Sequence, residues 1–143
     1  MNRPITSLLC GILCVCLLAG CATHDTATNT SGRFRLTTSL KQNTPYGKYD
    51  LAIVEAVTKK WYDILASQKF AKDRTGTVVL RFRLHPDGTV TDLVSLKCNV
   101  GEVLNYVCIE SVKAAAPFAP WPPDMEKLIN AHYREITFEF YYY

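Results

Sequence analysis

Between Tyr49 and Ser67 the apolar residues Leu51, Val54, Val57, Trp61, Ile64 and Leu65 recur three and four positions apart, with Lys59, Lys60 and Asp63 on other faces. That spacing is one stripe of an amphipathic helix, expected over Tyr46 to Gln68. Beyond the polar break Lys72-Asp73-Arg74-Thr75-Gly76 the period shortens: Val78, Leu80, Phe82 and Leu84 alternate with Val79, Arg81, Arg83 and His85. Strict alternation predicts a strand with one buried face. Pro86-Asp87-Gly88-Thr89 then supplies a fixed φ, an Asx acceptor and a position that tolerates positive φ, so a turn joins this strand to a second one over Val90 to Lys97. Helical period returns from Gly101 to Ala116, with Val103, Leu104, Val107, Cys108, Val112 and Ala115 on one side, and Pro117 ends it. The run Pro117 to Pro123 holds four prolines and reads as a rigid connector, because each removes a backbone donor. Last, Ile136, Phe138, Phe140 and Tyr142 alternate with Thr137, Glu139, Tyr141 and Tyr143, a third strand.

The order helix, strand, strand, helix, strand predicts an α+β fold: a three-stranded antiparallel sheet with two helices packed on one face. A chain of 143 residues, 48% hydrophobic and 20% charged, supports one such core and is not the composition of a disordered protein. The net charge of +3 comes from 16 basic and 13 acidic residues, with no basic run longer than Lys59-Lys60, so nucleic acid is not an expected partner.

The N-terminus follows different rules. Arg3 precedes an apolar run from Leu8 to Ala19 that is broken by Gly11. The run falls short of the roughly 18 residues a membrane-spanning helix needs, so it is expected to be a cleaved export signal. Leu18-Ala19-Gly20-Cys21 resembles the lipobox of bacterial lipoproteins. That resemblance implies acylation of the Cys21 thiol, cleavage before Cys21 and acylation of the new amine, as with palmitate. The alternative is an ordinary signal peptide cut elsewhere. Several acyl chains anchor a protein stably, since each buried methylene contributes about 0.8 kcal/mol. Ala22 after the cysteine implies, by the enterobacterial sorting pattern, the outer membrane with the domain facing the periplasm. The expected division is a signal peptide over 1–20, a lipidated cysteine and flexible tether over 21–45, and a folded domain over 46–143. The tether holds seven threonines between Ala22 and Pro45, and its apolar Phe34 and Leu36 are candidates for a short lead-in strand.

Four of the six cysteines, Cys10, Cys14, Cys16 and Cys21, lie in the first twenty-one residues, an arrangement that excludes a dense disulfide scaffold or a zinc ribbon. Cys98 and Cys108 remain. In an oxidising periplasm they are expected to form a disulfide joining the second helix to the sheet, with a free buried pair as the alternative.

The unit Gly76-Thr-Val-Val-Leu-Arg-Phe, His85-Pro-Asp-Gly-Thr-Val, the helix before Pro117 and the Phe118…Pro122-Pro123 tract, in this order of elements, resembles the C-terminal domain of TonB and the related third domain of TolA. The resemblance covers roughly Tyr46 to Tyr143. It implies a periplasmic adaptor without a catalytic centre, which pairs a strand of an envelope protein or peptide with an exposed sheet edge. The matching segment here is Arg134 to Tyr143, with Thr137, Glu139, Tyr141 and Tyr143 pointing away from the helices as candidate partner-binding residues. The alternatives are that this aromatic segment only packs the core, or that it pairs with its own copy to make a homodimer. TonB and TolA couple to ion-driven motors through an N-terminal membrane helix and a long spacer; the lipobox and short tether here point instead to an envelope adaptor or a transport or secretion accessory.

Residue chemistry adds no active site. His24, His85 and His132 lack metal-site spacing, Asp87 and Asp92 lack the further oxygens of a calcium loop, and no nucleophile elbow or phosphate loop occurs. The expectation is no enzyme, no cofactor and no metal. The proline tract with Trp121 reads as a connector rather than a polyproline ligand.

Overall fold

The computed structural model describes residues 34–40, 44–67 and 74–143, with the side chain of Phe34 excepted. The lipobox cysteine Cys21, the signal segment and His24 lie outside the described residues. Seven elements follow one another: β1 (Phe34–Thr38), α1 (Gly47–Ser67), β2 (Gly76–Leu84), β3 (Val90–Cys98), α2 (Glu102–Ala115), α3 (Pro123–Ile129) and β4 (Arg134–Tyr142). The strands form one antiparallel sheet in the order β1-β4-β2-β3. The fold is α+β as expected. It has four described strands and three described helices, where three strands and two helices were expected.

Both added elements have plain physical origins. β1 lies where Phe34 and Leu36 were candidates for a short lead-in strand, and β4 holds it by a ladder from Phe34↔Tyr142 to Thr38↔Phe138. The folded unit thus begins inside the segment expected to be tether. In α3, Pro123 sits at the first helical position, where the missing N–H costs no bond. Asn130 in the left-handed region closes it by donating to Glu126 O. Its one buried residue, Met125, docks the connector.

The core lies between the sheet and the long helices. Val78, Leu80, Phe82 and Leu84 of β2 and Ile136, Phe138, Phe140 and Tyr142 of β4 are buried, as alternation predicts. They meet Ile53, Val54, Val57, Trp61 and Leu65 of α1 and Leu104, Val107, Cys108 and Val112 of α2. Two stripe positions shift. Ile53 takes the core place expected of Leu51, and Val103 is exposed while Ser111 is buried, its hydroxyl donating to Cys108 O within the helix. Ala116 is extended, as a residue before proline tends to be, and ends α2.

The Pro-Asp-Gly-Thr turn is held from two sides. Asp87 Oδ1 accepts from the Thr89 amide at 2.9 Å and its hydroxyl at 2.6 Å. Gly88 has φ +84°, and a Cβ there would lie 2.0 Å from Phe118 O, because the connector runs directly over the turn. The Phe118 amide donates to Gly88 O and the Trp121 amide to Pro86 O, so the proline-rich connector is stitched to the hairpin.

Candidate functional site

The Arg134 to Tyr143 segment is where sequence and structure differ most. Expected as an edge strand, β4 instead lies inside the sheet: β2 covers it from Arg134 to Tyr142 on one side, and β1 covers Phe138 to Tyr142 on the other. At the end of that ladder Thr137 is bound three times by the β1 segment, its carbonyl accepting from the Ser39 amide and the Thr38 hydroxyl and its amide donating to Ser39 Oγ, each at 3.0 Å. Neither edge of the sheet is therefore β4. On the β1 side only Arg134 to Ile136 of β4 are left uncovered.

Side-chain direction follows the expectation. Burial alternates along β4, so Thr137, Glu139 and Tyr141 stand on the face away from the helices, and Tyr143 extends the same row. The Tyr141 and Tyr143 rings stack with centroids 6.3 Å apart and planes 8° apart. Tyr141 donates its hydroxyl to Glu139 Oε2, and this bond to a carboxylate holds the phenol above its ordinary range. From β1, the Arg35 guanidinium lies 4.6 Å above the Tyr141 ring and 6.0 Å from that of Tyr143. Arg35 Nε is buried without a hydrogen-bond partner among the described residues. Toward the other end of this face Arg83 bonds Asp92 at 2.7 Å and covers the Tyr133 ring at 4.5 Å, and Arg81 lies 3.8 Å from Glu135. The outward face is thus a row of cations, carboxylates and tyrosine rings.

On the opposite face Tyr142 connects helices to sheet. Its hydroxyl accepts from Trp61 Nε1–H at 3.0 Å and lies 3.1 Å from Cys108 Sγ. Trp61 meets the edges of Phe140 and Tyr142 at centroid distances of 5.0 and 5.5 Å. Burial pushes the Tyr142 phenol far above its usual range and the Cys108 thiol up to about 12. The expected Cys98–Cys108 disulfide is corrected by this arrangement. Both cysteines are free: Cys108 faces inward to Tyr142, and Cys98, exposed at the end of β3, points at Gly101 O at 3.5 Å.

Sequence reading missed the pair that sets the start of β4. Asp50, in the first turn of α1, is fully buried and accepts two bonds from Arg134, Nη1 to Oδ1 at 2.6 Å and Nη2 to Oδ2 at 2.9 Å. Arg134 also covers the Tyr46 ring at 4.9 Å. One turn signal was available, an aspartate on the apolar side of the first helix, but its partner lies 84 positions away. Nearby, Tyr49 donates to Ala119 O at 2.7 Å, and burial pushes its phenol up to about 12.

Histidines stay apart. His85 Nε2 lies 2.8 Å from Thr91 Oγ1, and His132 is exposed in the bend before β4. Among the described residues no three His, Cys, Asp or Glu side chains gather to hold a metal ion, and no helix is long and apolar enough to cross a membrane.

A two-layer α+β domain, helices on one face of an antiparallel sheet and the other face open, is the class these elements define. The family model for the C-terminal region of the Gram-negative bacterial TonB protein matches residues 68–142. The chain belongs to that family. Over 49 residues it is 37% identical to Protein TonB of Helicobacter pylori strain J99 and to that of strain 26695. The match covers 34% of this chain but only 18% and 17% of those relatives, so the chain spans less than a fifth of their length. Among solved structures it is similar to two solution structures of the H. pylori TonB C-terminal domain. The longer form gives a TM-score of 0.48 at 25% identity, covering 67% of this chain and 80% of that one. The shorter gives 0.46 at 23%, covering 66% and 92%.

Proposed function

We propose that this protein is a lipid-anchored envelope adaptor, held at the outer membrane through Cys21, whose domain binds an envelope protein by pairing a strand of that protein with the β1 side of the sheet. The single supporting observation is the half-covered flank of β4, where β1 pairs with only five of the nine residues of β4. Strand addition draws its affinity from main-chain bonds and its specificity from alternate side chains. Here those are Thr137, Glu139, Tyr141 and Tyr143, with Arg35 beside them. Membership of the TonB C-terminal family favours an interaction role over catalysis.

Site-specific photocrosslinking in whole cells tests it. A crosslinker in place of Thr37 or Tyr143 should trap one and the same envelope protein, whereas one in place of Lys113, on the exposed side of α2, should not. Equal trapping from Lys113, or none from the sheet positions, sinks the reading. Mass spectrometry of the native N-terminus checks the anchor, with acylated Cys21 as the expected first residue.

A further inference from the structure

We propose that β1 is a displaceable internal ligand: it holds the recognition flank of β4 in the resting protein, and its sequence states the chemistry of the strand that replaces it. This deepens the strand-pairing reading and rests on it. Three observations carry the idea. First, β1 is weakly invested in the core. Leu36 is its one described side chain that is buried, whereas β2 and β4 each bury four. Second, its polar chemistry is incomplete, because stacking Arg35 over Tyr141 leaves Arg35 Nε buried with no acceptor among the described residues, a penalty another residue at that place would avoid. Third, the opposite edge of the sheet, β3, exposes Val94 and Leu96 but is irregular along its length. The β2–β3 register shifts between Val79 and Leu80 and again between Arg81 and Arg83, Asp92 sits at φ +52°, and Lys97 stands exposed on β3. Bulges, twisted backbone and lysine are the devices that blunt an edge.

If β1 occupies the partner's place, the partner strand is an extended segment of at least the same length. It carries an aliphatic residue where Leu36 faces the helices, a cation where Arg35 lies against Tyr141, and small hydroxyl residues where Thr37 and Thr38 close the ladder toward Thr137. Binding then costs the opening of β1, so the affinity of the resting protein is lowered by the small fraction of molecules with β1 released.

The probe is a fluorescent peptide of the chain's own residues Ser31 to Leu40, added to the full chain. Leu36→Asp should release β1 and tighten peptide binding by at least about tenfold over the wild type. A stapled variant, Thr37→Cys with Glu139→Cys and the other accessible cysteines changed to serine, uses a directly opposed pair. Oxidised, it should bind no peptide; the same variant reduced, which carries the same loss of Glu139, should bind it. The staple leaves the core untouched, and near-ultraviolet circular dichroism of the Trp61–Tyr142 cluster reports whether Leu36→Asp is folded. Equal binding by wild type and a folded Leu36→Asp, or peptide binding that ignores the staple, overturns the proposal. Crosslinking to the envelope partner is read separately. If the staple blocks the peptide but not the crosslink, the strand-pairing reading falls and a displaceable β1 stands. If the peptide ignores the staple, this inference falls whatever is crosslinked.

Discussion

Asp50 and Arg134 lock the start of α1 to the start of β4 through two parallel hydrogen bonds of 2.6 and 2.9 Å, with the aspartate fully buried. Two desolvated charges hold each other there, so removing one strands the other. Asp50→Ala should cost about 3–5 kcal/mol. The double change Asp50→Leu with Arg134→Leu should cost far less than the sum of the single changes, because no charge remains unpaired. Urea denaturation of the four proteins checks this, and additive losses would show that the pair is not coupled.

Tyr142 satisfies two buried groups with one hydroxyl. Tyr142→Phe keeps the ring between Trp61 and the sheet but leaves Trp61 Nε1–H without that acceptor and Cys108 Sγ without its hydroxyl neighbour. The loss should be about 1–3 kcal/mol, the desolvation cost of a buried donor, with little change in near-ultraviolet dichroism. A neutral effect would mean that other groups or water meet the Trp61 donor.

The two thiols should differ sharply toward an alkylating agent in the reduced native protein. Cys98 is exposed and labels at pH 8. Cys108 is buried and its thiol is raised to about 12 by burial, so it stays protonated and unlabelled until the domain unfolds. Peptide mass mapping after a short labelling pulse distinguishes them, and equal labelling would contradict the core position of Cys108.

The β2–β3 turn carries a pH signature. Hydrogen bonds from the Thr89 hydroxyl and amide hold the Asp87 carboxyl below its usual value. A depressed carboxylate contributes stability that is complete above its unfolded value, about 3.9, and is lost as pH falls through the lower folded value. Asp87→Ala should therefore shrink the stability difference between neutral and acid solution, which stability measured from pH 7 to pH 2 would reveal. Gly88→Ala acts at any pH. It places a Cβ against Phe118 O at a positive φ and should weaken both the turn and its seam with the connector, lowering the melting temperature.

Much of this domain was legible in periodicity. The first helix, expected over Tyr46 to Gln68, spans Gly47–Ser67, and the second, expected over Gly101 to Ala116, spans Glu102–Ala115. Local period reports burial, and burial of one stripe is what makes these helices. The hairpin was equally visible, because a Pro-Asp-Gly-Thr turn acts over four adjacent residues. The outward set Thr137, Glu139, Tyr141 and Tyr143 was also readable, since side chains in a strand alternate whatever their neighbours are. The Asp50–Arg134 pair, the Tyr142 network and the free state of Cys108 were not, because each joins elements far apart along the chain.

The amino-acid sequence alone determined which residues of Arg134–Tyr142 face the core and which face outward. It could not determine which strands lie beside them. A strand's face is set by its own two-residue period, whereas its neighbours are set by long-range pairing among every exposed backbone edge, and only in the folded protein does Phe34–Thr38 close on Phe138–Tyr142. That contact moves the Arg134–Tyr142 strand from the rim of the sheet to its interior and makes part of an apparent tether a strand of the sheet.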